Sequence, residues 1–129
     1  MAGATVWTRG APREYREWLQ PLPPGVRFVT TPGGRAAAGV LHVFATARKD
    51  LAATLQELYP LILADAAVWV SWPKKAAKVA TDVTEDVVRE VALPLGFVDV
   101  KVCAVDAVWS GLKLVVRREN RAGRRSGRP

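Results

Sequence analysis

Two apolar runs and the amphipathic segment between them constrain the fold more than any other feature of this sequence. Residues 40–45 and 67–72 lack the polar alternation of a strand with one solvated face, and such runs are typical of parallel strands that helices cover on both sides. The segment 48–63 has apolar residues at i, i+4, i+7, i+8 and i+11, which predicts a helix with one buried stripe. The stripe consists of Leu51, Leu55, Leu58, Tyr59 and Ile62. The centre of the chain therefore predicts a βαβ unit.

A second helix is predicted between residues 82 and 95. Asp82 followed three residues later by Glu85 is a capping-box arrangement, and Thr81 is the alternative cap. Gly96 stands where a helix of this length would stop. The first helix contains Pro60 near its last turn, which is expected to end or kink it.

Strands are predicted on both sides of this central region. Residues 97–105 and 109–117 form a C-terminal hairpin. Residues 4–8 and 26–30 form two shorter strands, with a short helix after Pro12 between them.

The resulting order, β-α-β-β-α-β-α-β-β, predicts an α/β fold. We expect a reduced Rossmann-like, three-layer sandwich with a mostly parallel six-stranded sheet and a C-terminal antiparallel hairpin. Residues 1–118 would form one domain, and the basic tail 119–129 would be disordered.

Composition excludes several classes of site. The single cysteine, Cys103, excludes an internal disulfide framework and thiolate-rich metal sites, and the single histidine, His42, excludes metal motifs that need two histidines. We therefore predict no metal. No secretory signal is visible at the start of the chain. The most apolar stretch, 58–72, is too short to span a bilayer. We expect a cytoplasmic protein without a membrane partner.

The basic charge is concentrated at the C-terminus. Residues 117–129 hold six arginines and one acid, so they carry +5 of the net charge of +7. This composition is typical of a non-specific phosphate binder, although it lacks the aromatic side chains that stack on bases. Nucleic-acid association and a merely solubilising role both remain open. The candidate contacts are Arg121, Arg124, Arg125 and Arg128.

The second half of the chain resembles a bacterial family known only as domain of unknown function 3052. The residues that carry the resemblance are Trp69–Lys75, Val79–Asp82, Glu85–Arg89, Val98–Asp106 and Trp109–Lys113. The match is dense over residues 68–118 and weaker over 4–67. These motifs are specific to the family, but they imply no particular chemistry.

The layout also resembles the later part of a class I methyltransferase domain, which implies the strand order 2-1-3-4-6-5. Where such enzymes have a Gly-rich turn after the first strand, this chain has Arg9-Gly10-Ala11-Pro12. Thr30-Thr31-Pro32 stands where an acidic residue would hold a ribose. We therefore predict that the chain binds no cofactor.

The loop after the strand 67–72 offers one candidate site. Lys74 and Lys75 precede a helix N-terminus at the carboxyl end of a central strand, which favours either an anion site or solvated lysines. Asp82, Glu85 and Asp86 lie in the first turn of the predicted helix, where their charge complements the helix dipole. Capping explains Asp82 and Glu85, and an acid-base cluster of all three is the alternative.

Aromatic residues offer a second candidate site. If Trp72 and Trp109 meet at one edge, they form an aromatic-lined cleft together with Lys101 and with Lys74 above it; the alternative is that they fill a small core. Cys103 is interpreted as a buried structural thiol, and His42 as a hydrogen-bonded core histidine.

The function predicted first is a small, non-enzymatic, cytoplasmic binding or regulatory module with an unknown protein partner or a homo-oligomeric state. The alternatives are an enzyme of methyltransferase-like ancestry with an unknown substrate, and nucleic-acid association through the arginine tail. The predicted partner surface consists of Trp72, Lys74, Lys75, Thr81, Asp82, Glu85, Asp86, Lys101, Trp109 and Ser110.

Overall fold

A computed structural model describes residues 5–10, 27–29, 38–74, 80–104 and 109–121. The strands are β1 (Thr5–Arg9), β2 (Arg27–Val29), β3 (Val40–Phe44), β4 (Ala67–Pro73), β5 (Phe97–Ala104) and β6 (Trp109–Val116). The helices are α1 (Arg48–Leu58) and α2 (Glu85–Ala92), and single 3₁₀ turns cover Leu93–Leu95 and Arg118–Asn120. The short helix predicted after Pro12 lies outside the described residues.

The strands form one sheet in the order β2-β1-β3-β4-β6-β5. β1 pairs in parallel with β2 and β3, and β3 pairs in parallel with β4. β6 is antiparallel to both β4 and β5. The connection between β5 and β6 is too short for the crossover that parallel strands need, so β6 runs antiparallel to β5. The Rossmann-like α/β fold is confirmed. The sheet is mixed, however, since the antiparallel β6 lies between β4 and β5.

One face of the sheet forms the core with both helices. Register places Leu41 beside Val68 and Val43 beside Val70, and the same rows continue into β6. Alternate residues of a strand point to opposite faces, so these side chains share the face that α1 and α2 cover. The buried cluster on this side includes Leu41, Val43, Leu51, Leu55, Leu58, Val68, Val70, Trp72, Val88, Ala92, Leu112 and Leu114. Burying each large apolar side chain contributes about 1.5–3 kcal/mol. Among the described residues, no α-helix covers the opposite face.

The helix boundaries differ from the predicted ones. α1 ends at Leu58, because Pro60 cannot donate the backbone hydrogen bond that a continued helix needs. α2 begins at Glu85, and its N-cap is Thr84, whose hydroxyl accepts a hydrogen bond from the backbone N–H of Val87 at 3.3 Å. The predicted capping roles of Asp82 and Thr81 in this helix are therefore wrong. Gly96 does stop the helical segment, in the left-handed region at φ 118°.

The described chain extends past Arg118 as far as Arg121. Asn120 donates from Nδ2 to the carbonyl oxygen of Gly96 at 3.5 Å, and Arg121 donates from Nε to the carbonyl of Val116 at 2.9 Å. Backbone carbonyls at the end of β6 and in the turn before β5 thus hold this segment. Arg124, Arg125 and Arg128 lie outside the described residues. No helix in the described part of the chain is long and apolar enough to cross a membrane.

Candidate functional site

β1 and β3 are parallel neighbours, and the chain turns at Gly10 just after the carboxyl end of β1. Gly10 follows β1 with φ 74°, in the left-handed region that favours glycine. A Cβ at this position would lie 3.0 Å from the carbonyl oxygen of Phe44, the last residue of β3. The turn therefore requires glycine for both its backbone conformation and its close approach to β3.

A cleft of about 460 Å³ opens beside this turn. One wall is formed by the ends of β1 and β3, and the other by the first two turns of α1. The lining residues are Arg9, Val43, Phe44, Ala45, Asp50, Ala53 and Thr54. Small side chains on the helix and on the loop before it keep the cleft open. Ligands of open α/β sheets bind outside the carboxyl ends of the strands, so the cleft has the expected place for a binding site.

The cleft contains groups of both charges. Nη1 of Arg9 donates to Oγ1 of Thr54 at 3.2 Å and lies 3.5 Å from Oε2 of Glu57. The guanidinium carbon is 5.3 Å from the centroid of the Trp7 ring. These contacts hold the guanidinium along the wall of the cleft. Within the described part of the chain they engage Nη1, and a guanidinium has donors on all three nitrogens. Asp50 is exposed in the first turn of α1. The cleft thus offers a cation, a carboxylate and a hydroxyl to a polar ligand.

The loop between β3 and α1 is held by the segment before α2. Ala47, the N-cap of α1, has no side-chain acceptor. Oδ1 of Asp82 takes that role and accepts from the backbone N–H of Arg48 at 2.6 Å. The Thr81 hydroxyl donates to the carbonyl of Thr46 at 2.6 Å, and the backbone N–H of Asp82 donates to the same carbonyl at 3.2 Å. Asp82 therefore caps the neighbouring helix instead of its own.

The other face of the sheet carries a buried polar pair. Nε2 of His42 lies 2.6 Å from Oγ of Ser71, and the imidazole stacks on Phe44 with a centroid distance of 4.3 Å. Burial lowers the pKa of His42 from 6.5 to about 4, because desolvation disfavours the charged imidazolium. The imidazole is therefore neutral at pH 7, as expected for a core histidine. Sequence reasoning missed Ser71, since only the strand register brings it beside His42.

Trp72 and Trp109 lie at the same edge of the sheet but on opposite faces. Trp72 pairs with Ser110 in the register, whereas Trp109 pairs with Pro73, and adjacent residues of a strand point to opposite faces. Trp72 is only 7% exposed and belongs to the core beneath α1 and α2. Trp109 is half-buried and contacts Phe44 edge to face at a centroid distance of 5.0 Å. The two tryptophans therefore do not form a shared cleft, and the core-filling interpretation holds for Trp72.

The acids at the start of α2 lie around Arg89. The guanidinium pairs with Glu85, approaches Asp86 at 3.7 Å, and donates from Nε to Asp99 at 2.9 Å. The hydrogen bond from Arg89 lowers the pKa of Asp99, and the bonds to Asp99 and Glu85 raise the pKa of Arg89. This ion-pair group connects α2 to β5, and Asp82 is not one of its members.

The remaining predicted residues are placed as follows. Lys74 is half-buried just after β4. Lys75 lies outside the described residues. Lys101 pairs with Lys113 through its backbone, and its side chain is outside the described part, as is that of Cys103. Among the described residues, no three histidine, cysteine or acidic side chains are grouped so that they would hold a metal ion.

Solved structures resemble this chain in fold. LepI in complex with SAM superposes with a TM-score of 0.58 at 12% identity, covering 91% of this chain and 37% of LepI. A TehB-like SAM-dependent methyltransferase from Corynebacterium glutamicum superposes with a TM-score of 0.55 at 12% identity, covering 91% of this chain and 82% of the enzyme. Human N-acetylserotonin methyltransferase in complex with SAM gives 0.52 at 11% identity, covering 95% and 40%.

These similarities establish a methyltransferase-like α/β fold. The chain spans less than half the length of the LepI chains that it matches. No protein-family model matches the chain, and neither does any curated protein.

Proposed function

We propose that this chain is a small-molecule-binding domain of methyltransferase-like ancestry, and that its ligand occupies the cleft beside the Gly10 turn. The observation that carries the proposal is the left-handed turn at φ 74°, which directly adjoins a cleft of about 460 Å³ at the carboxyl ends of β1 and β3. Clefts of 300–1,000 Å³ with a few convergent polar groups are typical of small-molecule sites.

S-adenosylmethionine is the first ligand to test. LepI and human N-acetylserotonin methyltransferase, which share this fold, are described in complex with SAM. The single-glycine turn led to the prediction that no cofactor binds, but Gly10 has the backbone conformation that a close strand-to-loop turn needs. Arg9 and Asp50 line the cleft and supply opposite charges for the zwitterionic methionyl end of such a ligand.

A protein-binding surface would have fewer exposed side chains available than the sequence indicated. Of the predicted partner surface, Trp72 is buried in the core, and Thr81 and Asp82 are hydrogen-bonded to the loop before α1. A ligand cleft therefore accounts for the described geometry better than an interface built on these side chains.

Isothermal titration calorimetry with SAM and with S-adenosylhomocysteine tests the proposal. The wild-type chain should bind at least one of them at 1:1 stoichiometry. Arg9→Gln and Asp50→Asn should each weaken binding, by about fivefold to thirtyfold if each removes one charged contact of about 1–2 kcal/mol. Lys49→Gln is the matched control, because Lys49 is exposed beside Asp50 on α1 and does not line the cleft.

Absence of binding by the wild type would exclude these two ligands. Equal binding by the wild type and both cleft variants would place the site elsewhere and contradict the proposal.

A further inference from the structure

We propose that Thr81 and Asp82 are positioning residues for the cleft: they fix the loop between β3 and α1, and the affinity of the cleft for its ligand depends on them. This inference rests on the proposed function. It assigns a role in the cleft to two residues that do not line it.

The geometry of the loop supports this inference. Residues 46–48 connect the cleft residue Ala45 at the end of β3 to the cleft residue Asp50 in the first turn of α1. Three hydrogen bonds join this connection to residues 81 and 82, and two of them are 2.6 Å long. The backbone N–H of Ala45 also donates to the carbonyl of Ser71 at 3.0 Å, so the start of the loop is fixed to β4.

The capping contact is needed because α1 begins without a cap of its own. The first N–H groups of a helix have no partner within the helix, and Ala47 offers none. The carboxylate of Asp82 fills this place at the positive end of the helix dipole. Without it, the first turn of α1 would fray, and Asp50 belongs to that turn.

Sheet topology explains why these two loops meet. β3 and β4 are adjacent parallel strands, so the segments that leave their carboxyl ends lie at the same edge of the sheet. An ion pair between Arg48 and Glu90 at 2.8 Å adds a contact between α1 and α2, although both side chains are about half exposed. A surface pair of this kind contributes little, so the hydrogen bonds from residues 81 and 82 dominate the connection.

Hydrogen exchange and calorimetry on the full chain test the proposal together. Asp82→Ala should speed exchange of the Arg48 amide, which loses its acceptor, and of the Leu51 amide, which donates to the carbonyl of Ala47, by about fivefold, the factor expected from losing one capping hydrogen bond. The same variant should raise the Kd for SAM or S-adenosylhomocysteine, whichever the wild type binds, by about two- to fivefold, because the competent loop conformation becomes less populated. Asp82→Asn retains an oxygen acceptor and should restore both quantities to near wild-type values.

Thr84→Ala is the matched control. It removes the N-cap of α2 and destabilises the fold, but none of the hydrogen bonds of Thr84 within the described residues reaches the loop before α1. It should leave both the exchange of the Arg48 and Leu51 amides and the Kd unchanged. The proposal is overturned if Asp82→Ala binds as tightly as the wild type, if it leaves exchange at Arg48 and Leu51 unchanged, or if Thr84→Ala weakens binding equally. If the wild type binds neither SAM nor S-adenosylhomocysteine, these two ligands are excluded, and the exchange measurement alone decides whether Asp82 fixes the loop.

Discussion

Acidification should destabilise this protein through His42. The imidazole is 8% exposed, lies 2.6 Å from the hydroxyl of Ser71 and stacks on Phe44. Burial lowers its pKa from 6.5 to about 4. Between these two values the unfolded chain binds a proton at this histidine and the folded chain does not. The free energy of unfolding should therefore fall as the pH drops from about 6.5 to about 4, and this contribution should level off below that range.

The magnitude follows from the size of the pKa shift. One pKa unit corresponds to 1.36 kcal/mol of differential interaction. The shift from 6.5 to about 4 therefore implies that about 3 kcal/mol of stability at pH 7 is lost in acid. A typical domain has a free energy of unfolding of about 5–15 kcal/mol. Titration of this one side chain would thus remove a substantial part of the total.

Urea unfolding followed by tryptophan fluorescence measures this dependence. The free energy of unfolding is determined between pH 7.5 and pH 4 for the wild type and for His42→Gln. Glutamine does not titrate, and its amide retains a hydrogen-bonding group for Ser71. The wild type should lose stability more steeply than the variant, by up to about 1.4 kcal/mol per pH unit near pH 5. Carboxylates titrate in both proteins, so their contribution cancels in the difference.

Parallel curves for the two proteins would refute this argument. A second test does not depend on how well the variant folds. His42 is the only histidine of the chain, so its ring resonances give its pKa directly by NMR in the folded wild type. A value near 6.5 would show that the ring is solvated and would contradict the predicted destabilisation.

Three further predictions concern stability and are measured by urea or thermal unfolding. Gly96→Ala should cost about 2–4 kcal/mol, because φ is 118° and the new Cβ would overlap the hydroxyl oxygen of Tyr59; a loss below 1 kcal/mol would contradict this geometry. Asp99→Asn removes an ion pair at 2.9 Å with the guanidinium of α2 and should cost at most about 1 kcal/mol, less at high salt; a large, salt-independent loss would show a different role. A chain that ends at Arg121 should unfold like the full-length chain, whereas a chain that ends at Arg118 should be less stable, because it lacks the contacts to the carbonyls of Gly96 and Val116; equal stability of the two truncated chains would count against that anchoring.

The strands and the core were predictable because their signal is local. The runs 40–45 and 67–72 became β3 and β4 almost residue for residue, and the stripe from Leu51 to Leu58 faces the core as its spacing required. The strand order followed from the resemblance in layout and agrees with the observed order. What propensity and spacing missed were the contacts of chain ends, such as that between Arg121 and Val116. Such contacts depend on backbone carbonyls that only the folded arrangement brings within reach of these side chains.

The candidate site was harder to predict, because its residues depend on register and on distant partners. The sequence left open whether Trp72 and Trp109 meet at one edge. They lie at the same end of β4 and β6, but an offset of one residue in the β4–β6 register decides that they point to opposite faces. The cleft residues Arg9 and Asp50 carried no motif. Their proximity arises only when the end of β1 lies beside the end of β3 and α1 packs against both.

Asp82 shows how such a partner can still be inferred. Its spacing to Glu85 predicted a cap for the following helix, yet Thr84 caps that helix and Asp82 caps α1. The sequence at the start of α1 indicates this contact. Ala47 has no side-chain acceptor, so the first N–H groups of the helix need a hydrogen-bond partner from another segment. The loop that follows the adjacent parallel strand is the nearest source. In a parallel sheet, a helix that follows one strand without an N-cap of its own can be capped by an Asp or Thr from the loop after the adjacent strand. The pair of features therefore predicts a hydrogen bond between the two loops. The exchange experiment on Asp82→Ala tests this prediction directly.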